Sequence, residues 1–212
     1  MSYLILDLAA APLPNATDFI TLDDIAAPAN YKDPVKIDAY LAAERASRID
    51  KAALDFDLAR ITAIGMWQDG VTSVVTCPDE ASERAHLAAL TVDWHGDVSA
   101  RPILLTFNGL RYDLPLLMRR CQYLGVRVPA LNLDRYRTPH VDLWDRLSNH
   151  GAHSAHALGW YMKRLGHTDL VKPLSGAEES RAAVEGRWDE VAAAVTHDVE
   201  ATLRLAVWMG VL

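Results

Sequence analysis

The chain has 212 residues, of which 50% are hydrophobic and 23% are charged, and its formal net charge is −7. This balance is ordinary for a globular protein, and the length fits one domain that spans residues 1–212. No apolar run reaches the ~18–20 residues of a membrane span, so we expect no membrane partner. The negative charge argues against a wide basic surface for nucleic acid. It does not exclude a nuclease whose acids hold metal ions.

The N-terminal segment and the cysteines bear on where the protein works. No basic segment precedes the apolar run at residues 4–8, so this run predicts a strand and not a signal peptide. Cys77 and Cys121 fit no metal-binding spacing and no disulfide framework. These observations favour a reducing compartment, and we expect a cytoplasmic protein.

The first half of the chain predicts a strand, a helix and a hairpin. The strand covers 3–8. The helix covers 33–53, with Asp33 as its N-cap and Pro34 at its first position. Strands at 61–67 and 71–76 are joined through an Asp-Gly turn and predict a β-hairpin.

The second half continues the alternation of strands and helices. In chain order it predicts a helix at 79–93, a strand at 103–107, a helix at 112–124, a short strand at 140–143, and helices at 154–165 and 186–209. The segments predicted to be irregular are 10–32, 126–139 and 167–183. This pattern predicts an α/β protein with a mixed β-sheet flanked by helices.

Three aspartates occupy places where a sequence normally buries hydrocarbon. Asp7 ends one apolar run, Asp113 follows a second, and Asp198 lies on the apolar stripe of the last predicted helix. An unpaired buried charge is costly, and a divalent cation shared by the three carboxylates is the simplest compensation. Taken singly, each has a structural alternative, such as a partner arginine, a capped loop or a favourable helix dipole.

The three aspartates lie in motifs whose order is itself informative. The motifs are Leu6-Asp7-Leu8-Ala9, then Asn108-Gly109-Leu110-Arg111-Tyr112-Asp113, then Asp198-Val199-Glu200-Ala201-Thr202. In this order they resemble the DEDD-type 3′–5′ exonucleases of the DnaQ-like, RNase H-like superfamily. The similarity is greatest to phage-type members and to those that resemble the proofreading domains of DNA polymerase B, and it extends over nearly the whole chain. It implies an RNase H-like fold.

The resemblance also implies roles for individual residues. Two divalent ions, Mg²⁺ or Mn²⁺, would be held by Asp7 as bridge, Asp113 at the leaving-group ion and Asp198 at the nucleophile ion, since hard cations prefer carboxylates. Such a pair of ions lowers the pKa of the attacking water and stabilises the leaving oxygen. The residues implied to contact the terminal nucleotide are Asn108, Leu8 and Tyr112. We expect the turn glycine, Gly109, to let the backbone approach a ligand.

Two positions depart from the family pattern. Ala9 replaces a glutamate ligand, and Ala194 stands one helical turn before Asp198, where the family has a general-base tyrosine. Alanine supplies neither a metal ligand nor a proton acceptor. We therefore expect weakened or absent activity, because losing a placed base typically costs ~10²–10⁴-fold. Natural divergence and removal of the glutamate in an engineered chain would both account for Ala9.

Histidines are the candidates to replace the missing base. His197 precedes Asp198 directly, and consecutive helical residues project about 100° apart, so we expect it to point away from the face that Ala194 shares with Asp198. His153 and His156 are looser candidates for the base. The spacing of His150, His153 and His156 by three residues would suit a metal-binding helix face, but Gly151 and Ser154 favour a loop and a helix N-cap there.

One part of the chain is rich in arginine. This region either tracks phosphates along a nucleic-acid strand or is an ordinary solvated helix and loop. Its arginines are Arg111, Arg119, Arg120, Arg127, Arg135 and Arg137.

The sequence therefore predicts a metal-dependent 3′–5′ exonuclease that acts on the 3′ end of single-stranded nucleic acid, with DNA favoured. The alternative is a catalytically inactive protein of the same fold that binds nucleic acid or a replication or repair partner. A third class is a metal-dependent phosphohydrolase that uses the same acids on small nucleotides.

Overall fold

A computed structural model describes residues 2–92, 94, 101–137 and 140–212. Five strands of these residues form one sheet in the order β3-β2-β1-β4-β5. Strand β1 runs antiparallel to β2 and parallel to β4, and β4 runs parallel to β5. The strands are β1 (Tyr3–Pro12), β2 (Ala59–Gln68), β3 (Val71–Thr76), β4 (Ile103–Thr106) and β5 (Val141–Asp142). This mixed sheet with flanking helices confirms the predicted fold class.

Seven α-helices lie among the described residues. They are α1 (Pro34–Asp50), α2 (Glu80–Val92), α3 (Asp113–Tyr123), α4 (Leu143–Leu147), α5 (Leu158–Arg164), α6 (Gly176–Val184) and α7 (Trp188–Trp208). Helix α1 begins as predicted, because the Asp33 side chain accepts a hydrogen bond from the Val35 amide. The predicted end of the second helix at residue 93 lies outside the described residues, as do residues 138–139 of a predicted irregular segment.

The pleat of β1 divides the core into two clusters. Successive side chains of a strand point to opposite faces of the sheet. Leu4 and Leu6 pack with residues of α2 and α3, whereas Ile5 and Ala9 pack with residues of α6 and α7. Because Asp7 shares the odd-numbered register, β1 directs it toward the α6–α7 face.

Strand β1 is longer than predicted. It continues past residue 8 to Pro12, and its end pairs with the beginning of β2. The pairing shifts by one residue where Ala9 faces Ala63 and Ala10 faces Ile61, which leaves Thr62 opposite no partner. A bulge of this kind bends a strand, and bulges are frequent beside active sites.

The hairpin between β2 and β3 forms as predicted. Its two turn residues, Asp69 and Gly70, have φ angles of 50° and 87°. Positive φ at both positions is the requirement of the tight turn that best matches the twist of a hairpin.

Two predictions in the C-terminal part are wrong. The segment 167–183 is not irregular throughout, because it contains most of α6, which Ser175 caps through the Glu178 amide. Helix α5 begins at Leu158, so Ser154 lies in the preceding loop and is not its N-cap.

No helix among the described residues is long and apolar enough to cross a membrane. Both cysteines are buried free thiols.

Candidate active site

The three predicted acids line one cavity. Asp7 comes from β1, Asp113 from the first turn of α3 and Asp198 from the middle of α7, and together they border a space of about 640 Å³. The predicted substrate-contacting residues border the same space: Leu8, Asn108 and Tyr112. The structure therefore brings together side chains that are separated by up to 191 positions in the sequence.

Strand β1 and helix α3 are joined by a hydrogen bond between two predicted site residues. The Leu8 backbone amide donates to Asp113 Oδ1 at 3.0 Å. The Asp113 carboxyl group is 5% exposed, and its position at the start of α3 places it in the favourable field of the helix dipole. The Leu8 side chain belongs to the α2–α3 cluster. Its backbone therefore positions an acid while its side chain packs in the core.

Close packing of α7 against β2 positions Asp198. Gly65 pairs with Asp7 across the two strands, and a Cβ atom at Gly65 would lie 2.4 Å from Val195 Cγ1 and 2.7 Å from Val199 Cγ2. The absence of a side chain thus permits the valines on either side of Asp198 to approach the sheet. The register of α7 carries Asp198 to the cavity in consequence.

The turn of the second motif depends on Asn108 and Asp142. Asn108 has a φ of 66°, in the left-handed region that Asn tolerates better than most residues. Asp142 accepts hydrogen bonds from the amides of Asn108 at 2.8 Å and Leu110 at 2.9 Å, and from two amides that begin α4, those of Trp144 and Asp145. The Asn108 Oδ1 atom is buried and has no hydrogen-bond partner among the described residues. This amide is therefore available to a ligand in the cavity.

The expectation for Gly109 is wrong in its physical reason. A Cβ atom at this position would lie 2.4 Å from Thr106 Oγ1. The Gly109 amide donates to that hydroxyl at 3.2 Å. Gly109 therefore makes room for a side chain of the protein and not for a ligand.

Tyr112 is held by the protein through its hydroxyl group. The hydroxyl donates to the Ala53 carbonyl at 2.7 Å, and the ring lies 5.8 Å from that of Phe56. Burial raises the pKa of Tyr112 above its ordinary value, followed by the nearby charge of Asp113. The hydroxyl is therefore a neutral donor engaged with the backbone, and the ring is what Tyr112 presents to the cavity.

The two alanines that depart from the family pattern are both buried. Ala9 borders the cavity, with its methyl group in the α6–α7 cluster. Ala194 is fully buried one turn before Asp198. Neither position has a polar side chain, so the site lacks the two groups that the resemblance implies.

In the described part of the chain, the candidate histidines do not form a metal-binding group. His150 pairs with Asp145 at 2.5 Å in the loop after α4. His156 borders the cavity, with its ring stacked on that of Trp160 at 4.0 Å and 18°. His197 is partly buried, and its charge lowers the pKa of Asp198 only as a minor influence after burial and Lys172. The proposed weak role of His197 as a base stays a prediction, as does the looser role of His153.

Sequence reasoning missed two residues of the cavity. The Lys172 ammonium donates to Asp198 Oδ2 at 2.5 Å and to Glu179 Oε2 at 3.0 Å, and both Lys172 and Glu179 border the cavity. Glu179 lies in the first turn of α6 and is 6% exposed. The Ser175-x-x-Glu178 capping box predicts a helix at this point, and it is the signal that would have revealed Glu179.

The cavity has too little positive charge to neutralise its acidic side chains. The pKa of Asp7 is raised well above its ordinary value by burial and by the charges of Asp198 and Asp113. Burial raises the pKa of Asp113 to about 7. The pKa values of Asp198 and Glu179 are raised by burial despite the opposing effect of Lys172. One lysine does not compensate four carboxyl groups, and this condition favours uptake of a cation or of protons.

The predicted pair of divalent ions does not fit this arrangement. No set of three or more His, Cys, Asp and Glu side chains in the described part of the chain is placed to hold a metal ion. Asp198 is turned to Lys172, and Ala9 offers no oxygen. A single ion beside Asp7 and Asp113 does fit. Neither carboxylate forms a salt bridge within the described ranges, and Mg²⁺ is commonly held by one or two carboxylates, water and substrate phosphate.

Most of the arginine-rich region has structural partners. Arg120 is buried and forms a two-pronged ion pair with Glu83, at 2.7 and 2.8 Å. Arg119 pairs with Asp57 and Arg135 with Asp145, each at 2.9 Å. The Arg111 guanidinium lies 4.1 Å from the centre of the Trp144 ring, which borders the cavity. Of these, Arg111 is the one that contacts a residue of the cavity lining.

A comparison with protein families decides the superfamily. A family model described as RNase_H superfamily matches residues 51–209. The chain belongs to the RNase H superfamily. The matched RNase H region includes Asp113 and Asp198, and it begins after the strand that carries Asp7. The predicted RNase H-like identity is confirmed, and the finer DEDD assignment stays a prediction.

A solved structure shares the RNase H-like fold. It is the family B DNA polymerase from the hyperthermophilic archaeon Pyrobaculum calidifontis, with a TM-score of 0.59 and 14% sequence identity. The alignment covers 99% of this chain and 24% of that polymerase chain, so the likeness concerns about a quarter of the polymerase. No curated protein sequence matches the chain significantly.

Proposed function

We propose that this RNase H superfamily protein is a metal-dependent 3′–5′ exonuclease of single-stranded nucleic acid, with DNA favoured over RNA. The observation that carries the proposal is the convergence of Asp7, Asp113 and Asp198 on one cavity, together with Asn108 and the Tyr112 ring. Carboxylates grouped in this way suit cleavage of a phosphodiester bond, because hard divalent cations bind them and act on phosphate oxygens.

In this proposal, unpaired bases stack on aromatic side chains that adjoin the cavity lining through His156. Trp160 is 44% exposed and stacks on His156 at the cavity edge, and Tyr161 lies edge-on to the Trp160 ring at 5.2 Å. Stacking on aromatic rings holds single strands with little regard to sequence, and it contributes ~1–3 kcal/mol per base. The Asn108 amide then serves the terminal nucleotide, as its unpartnered oxygen suggests.

The chain's own residues have defined tasks in this proposal. Asp7 and Asp113 would hold a divalent cation, which would supply positive charge at the reacting phosphate and acidify a water. Asp198 and Lys172 form an ion pair in the same lining, and the aromatic residues exclude water from the base. With Ala9 and Ala194 in place, no side chain serves as the family's ligand or base, so we expect slow turnover.

The direct test is digestion of single-stranded DNA labelled at either end, with Mn²⁺. An exonuclease that starts at the 3′ end shortens a 5′-labelled strand to a ladder and releases mononucleotide from a 3′-labelled strand. Asp7→Asn removes a cation ligand at nearly constant volume and should abolish shortening. Matched RNA and duplex substrates measure the preference for single-stranded DNA, and free mononucleotides test the small-substrate alternative.

Ala9→Glu tests the first motif. Ala9 borders the cavity, so a glutamate at this position directs a carboxylate toward the reacting centre. We expect exonuclease activity to rise by orders of magnitude. Unchanged activity in Ala9→Glu together with loss in Asp7→Asn would show that position 9 does not correspond to the family's glutamate.

The specific observation that favours the inactive alternative is the pairing of Lys172 with Asp198, which engages a predicted ligand. A binding protein retains the single strand without shortening it, and its affinity falls with salt. Binding without cleavage in both the parent chain and Ala9→Glu would favour a nucleic-acid-binding or partner-binding protein over an exonuclease.

A further inference from the structure

The cation that the cavity already contains is the Lys172 ammonium group. Its side chain is 25% exposed, and it contacts two carboxylates from different helices, Asp198 on α7 and Glu179 on α6. Two carboxylates thus hold the ammonium group at the wall of the cavity.

The surrounding residues hold Lys172 in place. Glu179 is almost fully buried in the first turn of α6, where the reciprocal contacts of Ser175 and Glu178 fix the start of the helix. Residues Ala182 and Ala183, one turn further along, pack in the same cluster as Ala9. Glu179 is thus attached to a helix whose packing is set by β1, and it offers Lys172 an acceptor that moves little.

A divalent ion in this position would need ligands that the chain does not provide. Asp198 Oδ2 accepts from Lys172 at 2.5 Å, and the adjacent position on β1 is Ala9. No group of three or more His, Cys, Asp and Glu side chains in the ranges that the structure describes is placed to hold a metal ion. A second divalent ion bound to Asp198 would also lie close to the Lys172 ammonium group, and the two positive charges would repel each other.

From these observations we infer that the Lys172 ammonium takes the place of one of the two metal ions, so that the site binds a single divalent cation, with Glu179 as the residue that positions the lysine. This inference rests on the proposed function, because it concerns the same cavity. The single cation lies with Asp7 and Asp113, and Lys172 supplies the fixed charge beside Asp198.

The chemical consequence follows from the nature of an ammonium group. Lysine donates hydrogen bonds to phosphate oxygens as a compact point charge. It coordinates no water, so it does not generate a hydroxide as a divalent ion does. A site of this kind holds and neutralises a phosphate on the Asp198 side, while activation of water depends on the ion beside Asp7 and Asp113.

The test measures Mn²⁺ binding without nucleic acid, by titration calorimetry and by the electron paramagnetic resonance signal of free Mn²⁺. We expect one ion per chain in the parent protein and none at comparable affinity in Asp7→Asn. Lys172→Met releases Asp198 and Glu179 and should bind a second ion with at least tenfold higher affinity than the parent. Lys172→Arg keeps the charge and should remain at one ion.

Lys163→Met is the matched control, since Lys163 is an exposed lysine of α5 outside the cavity lining. It should bind one ion, like the parent. Two ions of similar affinity in the parent, or a single ion in Lys172→Met with an unchanged circular dichroism spectrum, would overturn the inference. If Lys172→Met fails to fold, Glu179→Gln replaces it. Loosening of the lysine should then strengthen the second Mn²⁺ site, and an unchanged stoichiometry and affinity would overturn the inference.

The two proposals fail in different experiments. One bound Mn²⁺ without any strand shortening leaves the account of Lys172 intact and contradicts the exonuclease. Strand shortening by a parent protein that binds two Mn²⁺ ions supports the exonuclease and contradicts the replacement of an ion by Lys172.

Discussion

The protein buries carboxylates in two regions, and the two regions solve the electrostatic problem differently. Between α2 and α3, Glu83 is met by the Arg120 guanidinium at 2.7 and 2.8 Å and by the Ile61 amide at 2.9 Å. At the cavity there are four carboxyl groups and one lysine, which pairs with two of them, Asp198 and Glu179.

The difference separates structural charge from functional charge. A buried carboxylate with a two-pronged arginine and a backbone donor has few needs left, so it joins elements of the core. The cavity acids have raised pKa values because burial and mutual repulsion are not offset. A site that is short of positive charge in the free protein gains from binding a cation, and carboxyl groups with raised pKa values in a cavity are typical of functional sites.

The largest effect should follow when one partner of the compensated pair is removed. Arg120→Met leaves Glu83 as an unpaired charge in the core, so the free energy of unfolding should fall by about 3–5 kcal/mol. Urea denaturation measures this change. Asp7→Asn, which relieves repulsion in the cavity, should leave stability equal or higher. A larger loss for Asp7→Asn than for Arg120→Met would contradict the comparison. The double replacement Glu83→Leu with Arg120→Met is the control and should recover most of the loss.

A smaller effect should follow from Gly65→Ala, which alters the cavity without changing any charge. The new methyl group meets Val195 and Val199 and forces α7 away from the sheet, at a cost of about 1–3 kcal/mol. Because α7 carries Asp198, Mn²⁺-dependent strand shortening should fall more than stability alone explains. Val207→Ala is the control, since Val207 is an exposed residue of α7 outside the cavity lining. Equal activity in the two variants at a temperature where both are folded would argue against this role of Gly65.

The pH dependence of the free energy of unfolding should reveal the raised pKa of a cavity acid, Asp113. Burial raises the pKa of Asp113 from 3.8 to about 7, so the folded state binds a proton that the unfolded state has released between these values. The stabilisation that comes from this proton is fully present below about pH 4 and is lost as the pH rises toward 7. The free energy of unfolding should change by at most about 1.4 kcal/mol per pH unit for one proton. Asp113→Asn should flatten the urea-denaturation profile in this window. An unchanged slope in that variant would show that Asp113 does not titrate there.

The smallest effect is expected at an exposed ion pair. Arg48 and Glu44 lie one turn apart on α1, with side chains that are 46% and 34% exposed. Water and salt screen such a pair, so Arg48→Ala should change the free energy of unfolding by less than about 1 kcal/mol. This variant sets the baseline against which Arg120→Met is measured. A loss as large as that of the buried pair would mean that burial is not what separates them.

Much of the fold was predictable because its elements have strong periodic signals. Three of these signals act through nearby residues and specify local structure: the apolar run of β1, the Asp-Gly turn and the Asp33 cap. Helix α6 was missed because its buried positions hold Glu179, Ala182 and Ala183, which give no apolar stripe.

The site was predictable only where motifs carried it. Asp7, Asp113 and Asp198 were found by their order and context, and the structure places them together. Lys172 and Asp198 are 26 residues apart, and nothing local to either residue indicates that they meet. A charged loop residue such as Lys172 is normally solvated. The packing of α6 and α7 against β1 is what brings Lys172 and Asp198 together.

The hydrogen bonds to Asp142 affect how two segments of the molecule unfold locally. Its two oxygens accept from the Asn108 and Leu110 amides of the second motif and from the Trp144 and Asp145 amides of α4. Amides that share an acceptor are released from it together, so both segments belong to one cooperative opening unit. Hydrogen exchange at the turn of the second motif therefore reports on the first turn of a helix more than thirty residues away, and the two should lose protection at the same rate.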